Sequence, residues 1–357
     1  MSRSVDHEEW LKSGKEAPVE PHLPICDAHH HLWDGPGDRG QYLVGDFLRD
    51  ASGMGITKTV FVECGTKYRK GGPKALEPVG ETEFVRAITA DCAGQEHGAV
   101  NVAAGIAGFV DLTLGRDAAH PMEAHIASGM GRFRSVRQSC TWDPDQSIVS
   151  LAKRSGMMGD AKFREGFACL ERYGLAFDAW QYYTQLPELV DLARAFPRVT
   201  VVVNHTGGPL GIGLHARKGQ EMFEEWKQGV GELATCANVA MKLGGLGMPR
   251  CGFGWHERRE PPGSTELAEA MAPYLRFCIS EFGAERCMFE SNFPVDRVSY
   301  PYGVLWNAFK IVCRDYSEEE RSALLYGTAA RVYCLQDGEE MQPKGPHERD
   351  WVKNSRG

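Results

Sequence analysis

The chain lacks several features that would have assigned its class at once. Its 11 cysteines stand singly, and none forms a C-x-x-C pair. A zinc ribbon or a dithiol redox motif is therefore not expected, and free thiols in a reducing compartment are. No apolar run approaches the ~20 residues that a membrane span needs. The opening stretch MSRSVDHEEWLKSGKEAPVEPHLP has no apolar segment of the secretory kind. Together these absences lead to the expectation of a cytoplasmic protein with no membrane partner. A basic excess is missing too: 40 Lys and Arg face 48 Asp and Glu, for a net charge of −8. Without a Lys/Arg cluster, the electrostatic footprint of a nucleic-acid binder is absent. No internal repeat or low-complexity tract interrupts the sequence.

What is present is a regular alternation. Length alone, 357 residues, fits about two domains or one large α/β barrel. After a polar lead-in over 1–24, β-rich runs fall at 25–33, 56–64, 99–110, 133–142, 175–182, 199–206, 238–246 and 286–293. Helix-like stretches separate them at 42–54, 81–96, 118–130, 160–173, 184–196, 217–236 and 264–282, and two more follow at 302–314 and 317–335. Ser317 and Glu320 have capping-box spacing. Gly174 and Gly283 stand where a helix stops in the left-handed conformation. Eight strand–helix units predict a parallel sheet closed as a single (β/α)8 TIM-like barrel over 25–335. An open doubly wound sheet shares the alternation and is the other architecture. The tail over 336–357 is polar.

In such a barrel the reactive groups gather at the C-terminal ends of the strands. The first strand, in ICDAHHHLWDG, carries three consecutive histidines. Side chains alternate along a strand, which groups Asp27, His29 and His31 on one face and Cys26, Ala28 and His30 on the other. His29 and His31 can then meet at one inward point, to hold a cation or orient a water, and His30 stands behind. In VTVVVNHTGGP, His205 ends the sixth strand. The glycines after it are too late for a dinucleotide loop, because His205 occupies the turn where the first glycine belongs. On the fourth strand Arg134 and Arg137 lie on opposite faces, so one of them points inward and can clamp a carboxylate. Glu63, Asp178, Trp180 and Lys242 are strand-end lining residues, and His256 sits in a loop. The eighth strand, in MFESNFPVD, brings Glu290 and Asn292 into phase, with Asp296 beyond the proline.

DAHHHLWD, RFRSVR, VVVNHTGGP, MFESNFPVD and the closing YGTAARVYCL together resemble the amidohydrolase superfamily. Within it the chain is similar to the amidohydrolase-related barrels that include 2-pyrone-4,6-dicarboxylate lactonase and sugar-acid lactonases, over about 25–335. The resemblance implies that His29, His31 and His205 surround the scissile carbonyl. They do so with a divalent metal such as zinc between them or without one. It also implies that Arg137 grips a substrate carboxylate; Arg134, Trp180 and His256, by their own strand and loop positions, are further substrate-side candidates. Where the family has a water-activating aspartate this chain has Asn292, and a carboxamide cannot accept a proton at neutral pH. Glu290, Asp296, Glu63 or a histidine then becomes the candidate base. The expected activity is hydrolysis of a small carboxylate-bearing lactone or related cyclic ester. Decarboxylation of an aromatic or pyrone acid, and a degenerate barrel that only binds small acids, are the alternatives. The expected partner is a small molecule, and a homo-oligomer is compatible with the sequence.

Overall fold

The computed structural model describes residues 3–35, 40–90 and 100–335, with side chains from residue 7 onward. The strands are β1 (Ile25–His30), β2 (Ile56–Val62), β3 (Asn101–Gly108) and β4 (Phe133–Ser139). They continue as β5 (Ala176–Trp180), β6 (Val201–Val203), β7 (Val239–Leu243) and β8 (Cys287–Phe289). All eight form one sheet in sequence order, and neighbouring strands pair in parallel. The sheet closes just past β8. His31 N donates to Phe293 O at 2.7 Å, and Asn292 N donates to His29 O at 2.9 Å. Every expected strand is found, each shorter than its apolar run, because the hydrogen-bonded ladder stops where the chain turns into a loop.

The helices are α1 (Arg3–Ser13), α2 (Val44–Asp50), α3 (Val79–Ile88), α4 (Ala119–Gly129) and α5 (Ala161–Tyr173). Then come α6 (Leu186–Ala195), α7 (Gln220–Ala234), α8 (Ser264–Phe282), α9 (Tyr302–Val312), α10 (Glu318–Ser322) and α11 (Thr328–Val332). Helix α1 falls inside the polar lead-in over 1–24. The second half of the expected 81–96 helix and the 336–357 tail lie outside the described residues. The Ser317–Glu320 capping box is formed in both directions. Gly174 ends α5 in the left-handed region at φ 61, ψ 30. Gly283 instead has φ 76, ψ 155, an extended positive-φ geometry rather than the left-handed stop expected of it. Among the described residues no helix is long and apolar enough to cross a membrane.

A small apolar cluster fills the barrel lumen. It includes Cys26 and Ala28 of β1, Val60 and Val62 of β2, and Ala107, Ala176, Val202, Ala240 and Met288 from other strands. Tyr333 and Leu335 plug it from below, after the final helix. This packing corrects the face assignment on β1. Cys26 and Ala28 point into the lumen, and Asp27 does not share the face of His29. A bulge between Asp27 and His30 sets Ala28 and His29 opposite the single residue Val60. Two residues facing one reset the alternation. His29 therefore turns inward after Ala28, and His30 turns out against Phe47 and Phe61.

Candidate active site

Three imidazoles converge at the C-terminal end of the barrel. His29 and His31 approach through their Nε2 atoms at 3.3 Å. The rings of His29 and His205 have centroids 4.6 Å apart. His205 follows β6 in a backbone conformation with φ 55, and Gly245 at φ 68 leaves it room. A Cβ on Gly245 would meet the His205 ring at 2.5 Å. Burial holds His29, His31 and His205 well below 6.5, so all three are neutral at physiological pH. His30, expected to stand behind, is buried against Thr59 Oγ1 at 2.8 Å.

Glu290, from the residue after β8, lies between two of these rings. Its Oε1 accepts from His205 N at 2.7 Å and lies 2.8 Å from His205 Nδ1. The other oxygen, Oε2, is 2.9 Å from His29 Nδ1, off the direction of a hydrogen bond, and is buried without a hydrogen-bond partner. Burial pushes the Glu290 carboxyl up to about 8.

The remaining charges beneath the site come in closed pairs. Lys242 Nζ donates to Asp178 Oδ1 at 2.6 Å, and both side chains are fully buried. Asn204 Nδ2 and Tyr333 OH also donate to Asp178 at 2.9 Å. Burial opposes charge on Asp178, yet the Lys242 ammonium and the hydrogen bonds the carboxylate accepts together outweigh it, and the carboxyl lies below its ordinary value. Lys242 Nζ also reaches within 3.4 Å of His29 Nδ1. Arg137 Nε binds Glu63 Oε1 at 2.8 Å, and a second guanidinium nitrogen binds Glu63 O at 2.6 Å. Arg137 is thus the inward arginine, and Glu63 already occupies it. Arg134 is excluded from the site, because Ser135 and Arg137 face the lumen and Arg134 lies on the opposite face.

With these pairs balanced, Glu290 is the cluster's carboxylate without a cation of its own. His29, His205 and Glu290 present ligand atoms within 4.8 Å of one another. His31 Nδ1 lies 2.7 Å from Val62 O, a pure acceptor, so that nitrogen carries the proton and Nε2 offers a lone pair. The 3.3 Å between the Nε2 atoms of His29 and His31 is about the edge of a tetrahedron with zinc–nitrogen bonds of ~2.0–2.1 Å. An orphaned carboxylate oxygen and convergent neutral imidazoles form a donor set that fits a divalent ion.

Asn292 sits at φ 55, a left-handed conformation that asparagine tolerates. Its Nδ2 donates to Asp296 Oδ1 at 2.7 Å, so Oδ1 is the atom directed away from Asp296. Asp296 also accepts from Gly247 N at 2.9 Å and Tyr300 OH at 2.8 Å. Burial raises the Asp296 carboxyl to about 7. Trp180 stands perpendicular to the His205 ring, with centroids 4.5 Å apart. His256 is exposed on its loop, 3.7 Å from Glu257, and is not one of the converging histidines. Two features escaped sequence reasoning. One is the lock of Asp296 on Asn292, for which the i, i+4 spacing was the available signal. The other is Arg250, which lies beside Trp180 and follows a proline in the loop after β7.

Comparison with known proteins bears on this geometry. The family model described as amidohydrolase matches residues 26–335. An uncharacterised Sinorhizobium fredii protein, y4mH, is 32% identical over 87% of this chain and 98% of its own length. An L-fucono-1,5-lactonase of Burkholderia ambifaria is 25% identical over 87% of this chain and 95% of its own. A crystal structure of a Burkholderia multivorans amidohydrolase with bound zinc superposes with TM-score 0.67 at 22% identity. It covers 88% of this chain and 100% of that one.

Proposed function

This chain belongs to the amidohydrolase family, and from that premise we propose that it hydrolyses a small lactone to the open hydroxy acid. The observation that carries the reading is the convergence of His29 and His205 on Glu290, a carboxyl group left without a cation, with His31 Nε2 3.3 Å from His29 Nε2. The similarity to an L-fucono-1,5-lactonase supports the choice of a lactone.

The imidazoles of His29, His31 and His205, with Glu290 behind them, would hold a divalent ion such as zinc. When bound, that ion would polarise the lactone carbonyl and make water a better nucleophile. The chain's own residues do the rest. Val62 O and the Glu290 carboxylate fix the rings of His31 and His205, so their Nε2 lone pairs face the site. Asn292 Oδ1, oriented by Asp296, accepts a hydrogen bond from the attacking water. Glu290 takes up the proton released as the water's oxygen bonds to the carbonyl carbon. Collapse of the tetrahedral species breaks the ring C–O bond, and the proton passes to the leaving alkoxide.

The test is a panel of sugar-acid and pyrone lactones offered to the purified protein, with metal content measured on the same sample. We expect ring opening, about one equivalent of divalent metal, and loss of both on Glu290→Gln. Release of carbon dioxide without a hydroxy acid would point to decarboxylation instead. Stabilisation by acids without turnover would point to a binding protein.

A further inference from the structure

The arginine expected to bind a substrate acid is not free to do so. Arg137 is buried in an ion pair with Glu63 and also bonds the Glu63 carbonyl. A substrate carboxylate placed there would have to compete with a carboxylate already in contact.

Arg250 is in the opposite position. It lies in a short turn, Pro249–Cys251, after β7. Its guanidinium carbon is 5.9 Å from the ring centroid of Trp180 and 5.9 Å from that of Tyr182. One nitrogen, Nη1, donates to Tyr182 OH at 2.8 Å. The Tyr182 hydroxyl itself donates to Val149 O, which fixes it as the acceptor and sets the plane of the guanidinium. Among the described residues no carboxylate lies within ion-pair distance of Arg250. The side chain is half-buried, so its charge is only partly hydrated.

The backbone around it is held in place. Gly211 N donates to Arg250 O at 2.8 Å, and Gly252 N donates to Pro249 O at 3.0 Å. Gly252 has φ 82, and a Cβ on Gly211 would meet Cys251 O at 2.3 Å. Two loops therefore clasp each other and present the arginine on a fixed support. Trp180 links it to the reacting groups, since the same indole packs on the His205 ring. A planar, pre-oriented, unpaired guanidinium one aromatic ring away from a candidate catalytic histidine suits bidentate capture of a carboxylate.

We propose that Arg250, and not Arg137, binds the carboxylate of the substrate and selects acidic lactones over neutral ones. This rests on lactone hydrolysis being the reaction. The experiment compares two substrates built on one lactone ring, the first bearing a carboxylate and the second a carboxamide in its place. The parent should prefer the acid through a lower KM. Arg250→Ala should raise KM for the acid about 10- to 100-fold, the range of charge-assisted hydrogen bonds. Its kcat should stay within about threefold, and KM for the amide should not move. Arg250→Lys, which keeps the charge and loses the fork, should fall between the two.

A second probe, tetrahydropyran-2-carboxylate, has the acid but no ester to open. Its binding, measured by calorimetry, should weaken about 10-fold or more in Arg250→Ala. Equal binding by parent and variant overturns the proposal. So does an equal loss of kcat/KM on the acid and the amide. Failure of the parent to open either lactone defeats the hydrolase reading instead, and the calorimetric result still decides the role of Arg250.

Discussion

At the scale of single residues, Asn292 and Asp296 act as one unit. The carboxamide donates to a carboxylate 2.7 Å away, and that carboxylate is buried with three donors around it. Asn292→Asp alone would set two buried carboxyl groups in contact, which cannot both ionise. Asn292→Asp combined with Asp296→Asn reverses the polarity of the pair and keeps every bond. The amide oxygen introduced at position 296 would still accept from Gly247 and Tyr300, and its nitrogen would donate to the carboxylate now at position 292. We expect the single variant to unfold at lower temperature and the double variant to recover most of the loss. The coupling should lie in the range of about 0.5–3 kcal/mol. Additive losses in the thermal double-mutant cycle would exclude the pair as a unit. The residue types of this site were legible in the sequence, because histidines and carboxyls at strand ends stand out against apolar runs. Their partners were not. Arg137 bonds Glu63 across 74 positions and Lys242 bonds Asp178 across 64, and no local pattern encodes such distances.

At the scale of elements, the bulge in β1 and the loop after β7 set the geometry. Simple alternation placed His29 and His31 together, and the structure does bring them together. The reason differs, since Asp27 faces away and the inserted residue restores the inward phase. A bulge leaves no mark in periodicity when the residues on either side are all buried, as they are throughout β1. After β7, Gly245 combines φ 68 with a close approach to His205. Gly245→Ala should cost about 1–2 kcal/mol for the left-handed backbone alone. It should also push the imidazole aside and lower kcat by about 100-fold, the usual penalty for a misplacement near 1 Å. Chemical denaturation and steady-state kinetics check the two parts. A variant with parent-like kcat would show that His205 does not depend on this support.

At the scale of the whole molecule, the chain before β1 is bound to the barrel's outer layer. Lys310 of α9 donates to Val19 O at 2.6 Å, Glu20 O at 3.1 Å and Met54 O at 3.2 Å. Asn307 completes the clasp through Val19 N and Ala17 O. Burial lowers the Lys310 ammonium from 10.5 to about 8. The unfolded chain keeps this proton up to its ordinary value near 10.4. Between about 8 and 10.4 the unfolded state therefore binds more protons, and stability rises with pH across that window. Lys310→Met should be less stable than the parent, through loss of the clasp. The gap between the two should widen as pH rises from 8 toward 10, as measured by denaturant titration. A gap independent of pH would show that Lys310 does not titrate differently in the two states.

The sequence by itself determined the alternation of eight strands with helices, the closure expected of that number, and the reactive side chains at the strand ends. These follow from periodicity, turn residues and residue type, all of which are local. Only the tertiary structure decided which charges cancel. Barrel closure brings Glu63 to Arg137 and Asp178 to Lys242, and it seats Glu290 between His29 and His205, 85 positions from the latter. What remains after that pairing, one carboxylate among imidazoles and one arginine beside Trp180, is fixed by distances across the fold. Electrostatic energy depends on those separations and on burial, and neither can be read along the chain.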